Sequence, residues 1–324
     1  MRLRVLYHGN CFDGCSSAGL YTRFFRENIA RGAPLDVAFA PLEHKGAGPA
    51  IPERLFDGDT NVCVDFRYSQ DPRLHWWFDH HVSAFQQPGD EAHFRADTTG
   101  HKFYDPTARS CARFLARTLA EKFGFDTAPV AELIEWAEII DGALFPTAQM
   151  PVELKEPALR LMTWIENNRS DELAVRFIED LVSKPMAEIA ASPYVAEPLG
   201  PILEQHQKNI EAVRKHARMD GDVVITDFLD QKVGGLNKFI VYYLHPQARY
   251  SVTVLSVGSG PNMKMKIGVG SNPWSPVPRA HNIAAICERY GGGGHPVVGA
   301  ISIPGNDPAG ARKVAAEVVA ALKS

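Results

Sequence analysis

The first 150 residues alternate short apolar runs with stretches of helical periodicity, and this alternation limits the possible folds more than any other feature. Strands are predicted at 3–7, 37–40, 62–66 and 74–78, and helices at 16–26, 110–123 and 130–140. Strands that alternate with helices form parallel sheets, because each crossover helix returns the chain to the same edge. The N-terminal region is therefore predicted to be an α/β domain with a largely parallel sheet.

A second, smaller α/β domain is predicted in the rest of the chain. A length of 324 residues exceeds what one core usually supports. Residues 152–182 are predicted helical, a proline-rich zone follows at 183–201, and a long polar helix is predicted at 202–218. Further strands are predicted at 223–228, 250–257 and 263–269, with helices at 237–243 and 279–290. We expect a first domain over 1–190, a connecting helix over 191–218 and a second domain over 219–324.

Composition excludes several classes of protein. A hydrophobic content of 45% and a charged content of 22% are those of an ordinary globular protein. No apolar stretch approaches the roughly 20 residues that span a bilayer, so we expect a cytoplasmic protein with no membrane partner. The five cysteines are odd in number and scattered, which favours a reducing compartment over a disulfide framework. A net charge of −4 argues against a duplex nucleic acid as partner.

The triplet Asp79-His80-His81 directly follows the apolar run 74–78. Successive residues of a strand point to opposite faces, so the two imidazoles are not expected to bind one ion. One histidine can be a metal ligand while the other contacts substrate, and Asp79 can orient an imidazole. Taken alone, the triplet only suggests a site.

Three other stretches place hard ligands at the ends of apolar segments. His8 ends the first strand and is followed by a glycine-containing turn with Asp13. Asp65 ends a buried strand, where a carboxylate is costly unless it is paired or binds a metal, and it could bridge two cations. Asp141 ends an apolar helix, where the helix dipole disfavours negative charge and a nearby cation would offset that cost. Each has a simple explanation as a turn residue, but together they predict a two-metal hydrolytic site.

A run of four glycines, 291–294, is followed by His295 in the predicted second domain. Glycines allow successive backbone N–H groups to converge on an anion. Between residues 249 and 295 there are five lysines and arginines against one acid, which suits a small anionic ligand. A flexible turn on a solvated face is the plain alternative.

Together these motifs resemble the DHH phosphoesterase family over nearly the whole chain. Asp79-His80-His81 corresponds to the triplet that names the family, and Gly291–His295 resembles the GGGH signature of its DHH-associated C-terminal domain. The resemblance implies two α/β lobes with the active site in the cleft between them. It also implies two divalent metal ions, with manganese favoured over magnesium or another metal. A homodimer is a further expectation from the family.

The family's functional residues carry over to positions in this chain. The resemblance implies as metal ligands His8, Asp13, Asp65, His80 and Asp141. His81 would contact the scissile phosphate, and Asp79 would orient an imidazole. Substrate would be held by Gly292, Gly293, Gly294 and His295, with Arg279 and Lys266 as further candidates.

Cys11 departs from the family pattern, because many members have an aspartate two residues before the equivalent of Asp13. A thiolate ligand would shift the preference from Mg²⁺ toward Mn²⁺, Fe or Zn. Alternatively Asn10, water or nothing fills that position. We expect Cys11 to lie near the metals without being an essential ligand.

The expected reaction is hydrolysis of a phosphodiester bond in a short oligoribonucleotide or a linear or cyclic dinucleotide, by water activated between two metals. The glycine-rich second domain is typical of the nucleotide-cleaving branch of the family, and the chain lacks the extra length of long single-strand exonucleases. Two alternatives stay open. One is an exopolyphosphatase with the same metals, and the other is a non-catalytic nucleotide sensor, for which Cys11 is the only support.

Overall fold

The strands of the N-terminal region form one five-stranded sheet with the order β2-β1-β3-β4-β5. The strands are β1 (Arg2–His8), β2 (Asp36–Leu42), β3 (Thr60–Val64), β4 (Trp76–Asp79) and β5 (Lys102–Tyr104). All four pairings are parallel, so the predicted parallel α/β architecture is confirmed. The carboxyl ends of β1, β3 and β4 consequently lie side by side at one edge.

The computed structural model describes residues 1–43, 51–231 and 233–323. The chain divides into two compact units. The first comprises Met1–Phe145 and Lys155–Gly200, and the second comprises Pro146–Leu154 and Pro201–Ser324.

Helices pack on both faces of the first sheet. They are α1 (Phe12–Phe24), α2 (Asp90–Arg95), α3 (Cys111–Phe123), α4 (Ala131–Asp141), α6 (Pro157–Asn167), α7 (Asp171–Leu181) and α8 (Met186–Ala191). A π-helical turn, Phe25–Ala30, continues α1. Helix α1 is almost wholly buried, which small residues such as Gly14, Ala18 and Gly19 permit. It can therefore present side chains directly to the carboxyl edge of the sheet.

The second unit has a six-stranded mixed sheet with the order β10-β11-β9-β8-β7-β6. Its strands are β6 (Ala217–Asp220), β7 (Val223–Phe228), β8 (Tyr250–Val257), β9 (Lys264–Ser271), β10 (Gly293–His295) and β11 (Val298–Pro304). Of the pairings between these described strands, only β7–β8 is parallel. The accompanying helices are α5 (Gln149–Glu153), α10 (Ile240–Leu244), α11 (Ile283–Glu288) and α12 (Pro308–Lys323). A second α/β unit is thus confirmed.

Helix α9 (Pro193–His216) begins nine residues before the predicted 202–218 helix. The prolines at 193, 198 and 201 argued for a break, but buried Val195 and Leu199 anchor the first turns. Proline is tolerated in a first helical turn, and tertiary packing can offset the hydrogen bonds that later prolines remove. The division between the two units falls inside this helix, at Gly200. Among the described residues, no helix is both long and apolar enough to cross a membrane.

Candidate metal centre

The loop after β1 places His8 and Asp13 on one side of the sheet edge. Helix α1 starts so close to β1 that a Cβ atom on Gly14 would lie 2.1 Å from the His8 carbonyl oxygen. Only glycine fits this contact, because real Cβ atoms do not approach oxygen so closely. Asp13, in the first turn of α1, is therefore held beside the end of β1, as the sequence motif predicted.

The carboxylate of Asp13 is fixed by the N-terminus of α3. Its Oδ2 accepts a hydrogen bond from Cys111 N at 2.7 Å, and its Oδ1 accepts one from Ala112 N at 2.9 Å. Ser110 caps the same helix by accepting from Arg113 N at 3.1 Å. The first N–H groups of a helix favour an anion. They therefore hold the carboxylate of Asp13, a residue that is only 1% exposed, in one orientation. Sequence reasoning missed this contact, although Ser110 marked the start of the helix.

Asp65 follows β3 and has a left-handed backbone with φ of 55°. Its N–H still donates to Phe78 O at 2.9 Å, so the strand pairing with β4 extends to this residue. A non-glycine residue in this region is strained, and such strain is typical of functional positions. The side chain is 1% exposed. Its Oδ2 lies 3.2 Å from His8 Nδ1.

Asp79 organises the backbone and the side chain that follow it. Its Oδ1 accepts hydrogen bonds from His80 N at 2.8 Å, from His81 N at 3.3 Å and from His81 Nδ1 at 2.7 Å. The residue is fully buried. The two imidazole rings diverge, with planes 59° apart. Asp79 therefore contacts the backbone of both histidines and the ring of His81; its role in orienting this imidazole stays a prediction.

His80 points into a set of carboxylates. Its Nε2 lies 3.4 Å from Asp65 Oδ1, 3.4 Å from Asp141 Oδ2 and 3.8 Å from Asp13 Oδ2. Its Nδ1 lies 3.1 Å from the carbonyl oxygen of Ala108, which fixes the ring and directs Nε2 inwards. Sequence reasoning gave no signal for the Ala108 carbonyl. Asp141, at the end of α4, is brought to this site as predicted.

Two groups of potential ligands share one residue. His8, Asp65 and His81 form the first, and Asp13, Asp65 and His80 form the second, with the ligand atoms of each group within 4.8 Å of one another. Asp65 Oδ1 and His80 Nε2 are buried and make no hydrogen bond of normal geometry. Buried polar atoms of this kind need a partner. Carboxylate oxygens and imidazole nitrogens suit Mn²⁺ or Mg²⁺, so the donor set fits two divalent cations that share Asp65.

The acids of this centre are costly to ionise together. Burial, followed by the charges of Asp65 and Asp141, raises the pKa of Asp13 well above its ordinary value. Burial and the charge of Asp65 raise the pKa of Asp141 to about 6. Burial opposes ionisation of Asp65 as well, but contacts with His8 and His80 lower its pKa on balance. The centre thus requires positive charge, which divalent cations would supply.

The neighbouring carboxylates raise the pKa values of His80 and His81, which favours the charged form of each imidazole. Burial alone would lower the pKa of His80, but Asp65, Asp13 and Asp141 raise it to about 10. Burial would also lower the pKa of His81, yet the contact with Asp79 raises it above its ordinary value. Without metal, imidazolium charge therefore partly neutralises the carboxylates.

Cys11 belongs to neither ligand group found among the described residues. Burial, with the charges of Asp65, Asp141 and Asp13, raises the pKa of its thiol well above the ordinary value. The role of Cys11 as a neighbour of the metals without ligation stays a prediction that this geometry favours.

The predicted substrate-binding residues lie in the second unit. Gly293, Gly294 and His295 form β10, which pairs antiparallel with β11. Gly291 N and Gly292 N donate to the carbonyls of Glu288 and Cys287 at the end of α11. The glycine run is thus a helix end and a strand, and these two N–H groups are already engaged. Arg279 donates to His281 O at 2.6 Å, and Lys266 is an exposed residue of β9.

The similarity to solved structures with the same architecture covers nearly the whole chain. PggH from Vibrio cholerae, a pGpG-specific phosphodiesterase, has a TM-score of 0.68 and 21% identity, covering 98% of this chain and 99% of that one. The fold is that of the DHH-domain proteins. No protein-family model and no curated protein matches the sequence.

Two further DHH-type structures are similar. An exopolyphosphatase-related protein from Bacteroides fragilis has a TM-score of 0.56 and 14% identity, covering 100% of this chain and 94% of that one. RecJ from Thermus thermophilus, solved in complex with Mn²⁺, has a TM-score of 0.55 and 17% identity. The likeness covers 99% of this chain but 52% of RecJ. The shared DHH fold agrees with the resemblance that the Asp79-His80-His81 and GGGH motifs indicated.

Proposed function

We propose that this protein is a metal-dependent phosphoesterase that hydrolyses phosphodiester bonds of short nucleotides. The observation that supports this most is the position of Asp65, whose carboxylate is shared by the two ligand groups at the carboxyl edge of a parallel sheet. Sites that share one carboxylate between two cations are a recurring arrangement in phosphoester hydrolysis. Bound divalent cations would supply an acidified water and positive charge against the phosphoryl oxygens.

The chain's own residues have separate tasks in this proposal. His8 would hold one cation with Asp65, and Asp13 and His80 would hold the other. Asp141, whose Oδ2 lies 3.4 Å from His80 Nε2, would be a further ligand of the second cation. His81 faces the substrate, because Asp79 holds its Nδ1 at 2.7 Å and the proton on Nε2 can then pass to the leaving oxygen.

The short nucleotide as substrate is supported by two observations. PggH, which has the same fold over its full length, is specific for the dinucleotide pGpG. In the second unit of this chain, Gly293 has no atom within 4 Å of the place where a Cβ would stand, so a ligand can approach its backbone. His295 lies two residues further along the same strand and can donate to a phosphate. We infer that Gly293, Gly294 and His295 contribute to substrate binding.

An exopolyphosphatase is the main rival, and the similarity to an exopolyphosphatase-related protein is the observation in its favour. It would use the same metal ligands, but it would need no contact with a base or a ribose. A sensor that binds nucleotides without cleaving them is a further alternative. The complete set of oriented ligands argues against a sensor, because binding alone does not require them.

The test is product release by the purified protein with Mn²⁺, against pGpG, pApA, a linear five-mer, cyclic dinucleotides and polyphosphate. We expect cleavage of a linear or cyclic dinucleotide and none by the Asp65→Asn variant, which removes the shared charge. The exposed variant Asp36→Asn is the matched control and should keep full activity. Turnover of polyphosphate alone would replace the proposal by its rival. Dinucleotide binding without turnover would indicate a sensor.

A further inference from the structure

A cleft of about 430 Å³ opens in the first unit beside the metal centre. It lies beyond the carboxyl ends of β1 and β2, and the segment 66–67 after β3 and the N-terminal turn of α7 form its other walls. None of the residues implied as metal ligands lines it. A volume of this size is that of a small-molecule site. The motifs of the sequence analysis gave no indication of it.

The cleft is connected to the metal centre by chain neighbours of two ligands. Asn10, two residues after His8, lines one wall, and Phe66, directly after Asp65, lines another. The Phe66 ring centroid lies 6.5 Å from that of His8. Only the Phe66 side chain therefore separates a molecule in this part of the cleft from the group formed by His8, Asp65 and His81. A substrate held at the metals could extend into it.

Three arginines line this cleft, together with two acids, Glu43 and Asp171. Arg67 is only 6% exposed, stands over the Phe66 ring at 5.1 Å and donates to Gln86 at 2.8 Å. Arg169 is exposed at the end of α6 and is steadied by a 2.7 Å bond to the carbonyl of Asn168. Arg54, in the segment 51–55, is an exposed lining residue as well. Guanidinium groups suit phosphate, because their planar fork can donate to two of its oxygens at once.

The three arginines suit an occupant that carries a phosphate of its own. A scissile phosphate at the metal centre would not need a second cluster of cations nearby. In a linear dinucleotide with a 5′-phosphate, the 5′ nucleotide carries this additional phosphate and the 3′ nucleotide does not. The apolar walls given by Phe66 and its neighbours suit a nucleoside, and the carboxylate of Asp171 at the rim can accept hydrogen bonds from one.

We propose that this cleft binds the 5′ nucleotide of a linear dinucleotide and that its arginines recognise the terminal 5′-phosphate. The inference rests on the proposed function and adds to it a direction for the substrate and a preference for 5′-phosphorylated ends. Since the cleft has room for about one nucleotide, it also limits the substrate at its 5′ side. Longer chains with further 5′ residues would be excluded.

The experiment compares two exposed charge reversals, Arg54→Glu and Arg169→Glu, with the matched control Arg160→Glu on α6, outside the cleft. Turnover of pGpG and of GpG, which lacks the 5′-phosphate, is measured with Mn²⁺. We expect the KM for pGpG to rise about tenfold or more in each cleft variant, as loss of a charge-assisted contact requires. The KM for GpG and the turnover of bis-p-nitrophenyl phosphate should stay within about twofold, because neither substrate places a phosphate there.

Titration calorimetry in EDTA measures the binding of GMP to the metal-free protein. It tests the cleft independently of catalysis. We expect GMP to bind and both cleft variants to weaken it about tenfold, while guanosine and inorganic phosphate bind far less tightly. If pGpG is not cleaved but GMP binding depends on the arginines, the proposed function fails and the cleft assignment holds. Equal loss of pGpG and GpG turnover, or inorganic phosphate binding as tightly as GMP, would overturn the cleft assignment.

Discussion

Asp79 Oδ1 accepts a hydrogen bond from His81 Nδ1 at 2.7 Å, and the same oxygen accepts from the backbone of His80. One buried carboxylate therefore fixes the turn and also the tautomer of the imidazole that follows it. The aspartate of the triplet acts behind the metal centre, not as one of its ligands.

We expect Asp79→Asn to lower kcat for a dinucleotide by about 10–100-fold, because the amide cannot both accept from Nδ1 and support the imidazolium. Mn²⁺ content should stay near that of the wild type. Steady-state kinetics with metal analysis on the same samples checks this. An unchanged kcat, or a loss of metal as large as the loss of rate, would contradict the orienting role.

Metal binding should stabilise the protein through Asp65. Removal of divalent ions leaves buried carboxylates that repel one another. Binding of Mn²⁺ to the folded state should therefore add to its stability and raise the Tm. In Asp65→Asn that increase should disappear, since both ligand groups lose their common member. Thermal unfolding with EDTA and then with excess Mn²⁺ is the measurement. An equal increase in both proteins would show that the ions bind elsewhere.

Substitution of two neighbouring glycines, Gly292 and Gly293, can distinguish a packing role from contact with the substrate. A Cβ on Gly292 would lie 2.3 Å from the Ala300 carbonyl oxygen, whereas one on Gly293 meets nothing within 4 Å. We expect Gly292→Ala to destabilise the protein by about 1–3 kcal/mol. Gly293→Ala should keep its stability but raise the KM for a dinucleotide, because the methyl group would lie where the ligand approaches. A normal KM in a stable Gly293→Ala would remove this glycine from the substrate site.

Acid stability should depend in part on Arg312. Its Nε lies 2.6 Å from Asp227 Oδ2 and its Nη2 lies 2.6 Å from Asp230 Oδ2, so α12 is tied to the end of β7. Burial opposes ionisation of Asp227, but Arg312 lowers its pKa below the ordinary 3.8. A lowered carboxyl pKa adds stability above the unfolded value, which is lost as the pH falls through the folded value.

Arg312→Gln should therefore lose a few tenths to about 1 kcal/mol at pH 7, because the pair is partly exposed. The difference from the wild type should vanish below the folded pKa of Asp227, where the carboxyl is protonated in both states. Urea unfolding at pH 7, 4 and 3 measures it. A difference that persists unchanged at pH 3 would mean that Arg312 acts through packing.

Local patterns predicted the strands well where the strand is buried. The strands predicted at 223–228 and 250–257 match β7 and β8. The residues predicted as metal ligands could be picked out from local patterns as well, because each ends or follows a strand or begins or ends a helix. Their ligation of metal stays a prediction. Elements held by distant contacts were missed. Strands β5, β6 and β10 have only three or four residues, and the pairing partners of these strands and of β11 are not visible in a local window.

The helix predicted over 279–290 shows the limit of periodicity. Only Ile283–Glu288 is helical, since Asn282 accepts from Ala285 N and starts the helix there. Ala280 and His281 instead donate their N–H groups to the Tyr250 hydroxyl, 30 residues away. No local pattern encodes that contact. The arginine-lined cleft was missed for a similar reason, because its walls come from five separate segments.

Strand β4 contains an intrinsic fluorophore, Trp77, close to the candidate metal centre. The indole of Trp77 is fully buried and donates to the carbonyl of Phe66 at 2.8 Å, one residue beyond Asp65. Two residues further along β4 lies Asp79. Any shift of the Asp65 backbone when ions enter is therefore transmitted to a hydrogen bond of an emitting ring. We therefore expect the tryptophan emission of the unlabelled protein, to which Trp77 and four other tryptophans contribute, to change when Mn²⁺ is added.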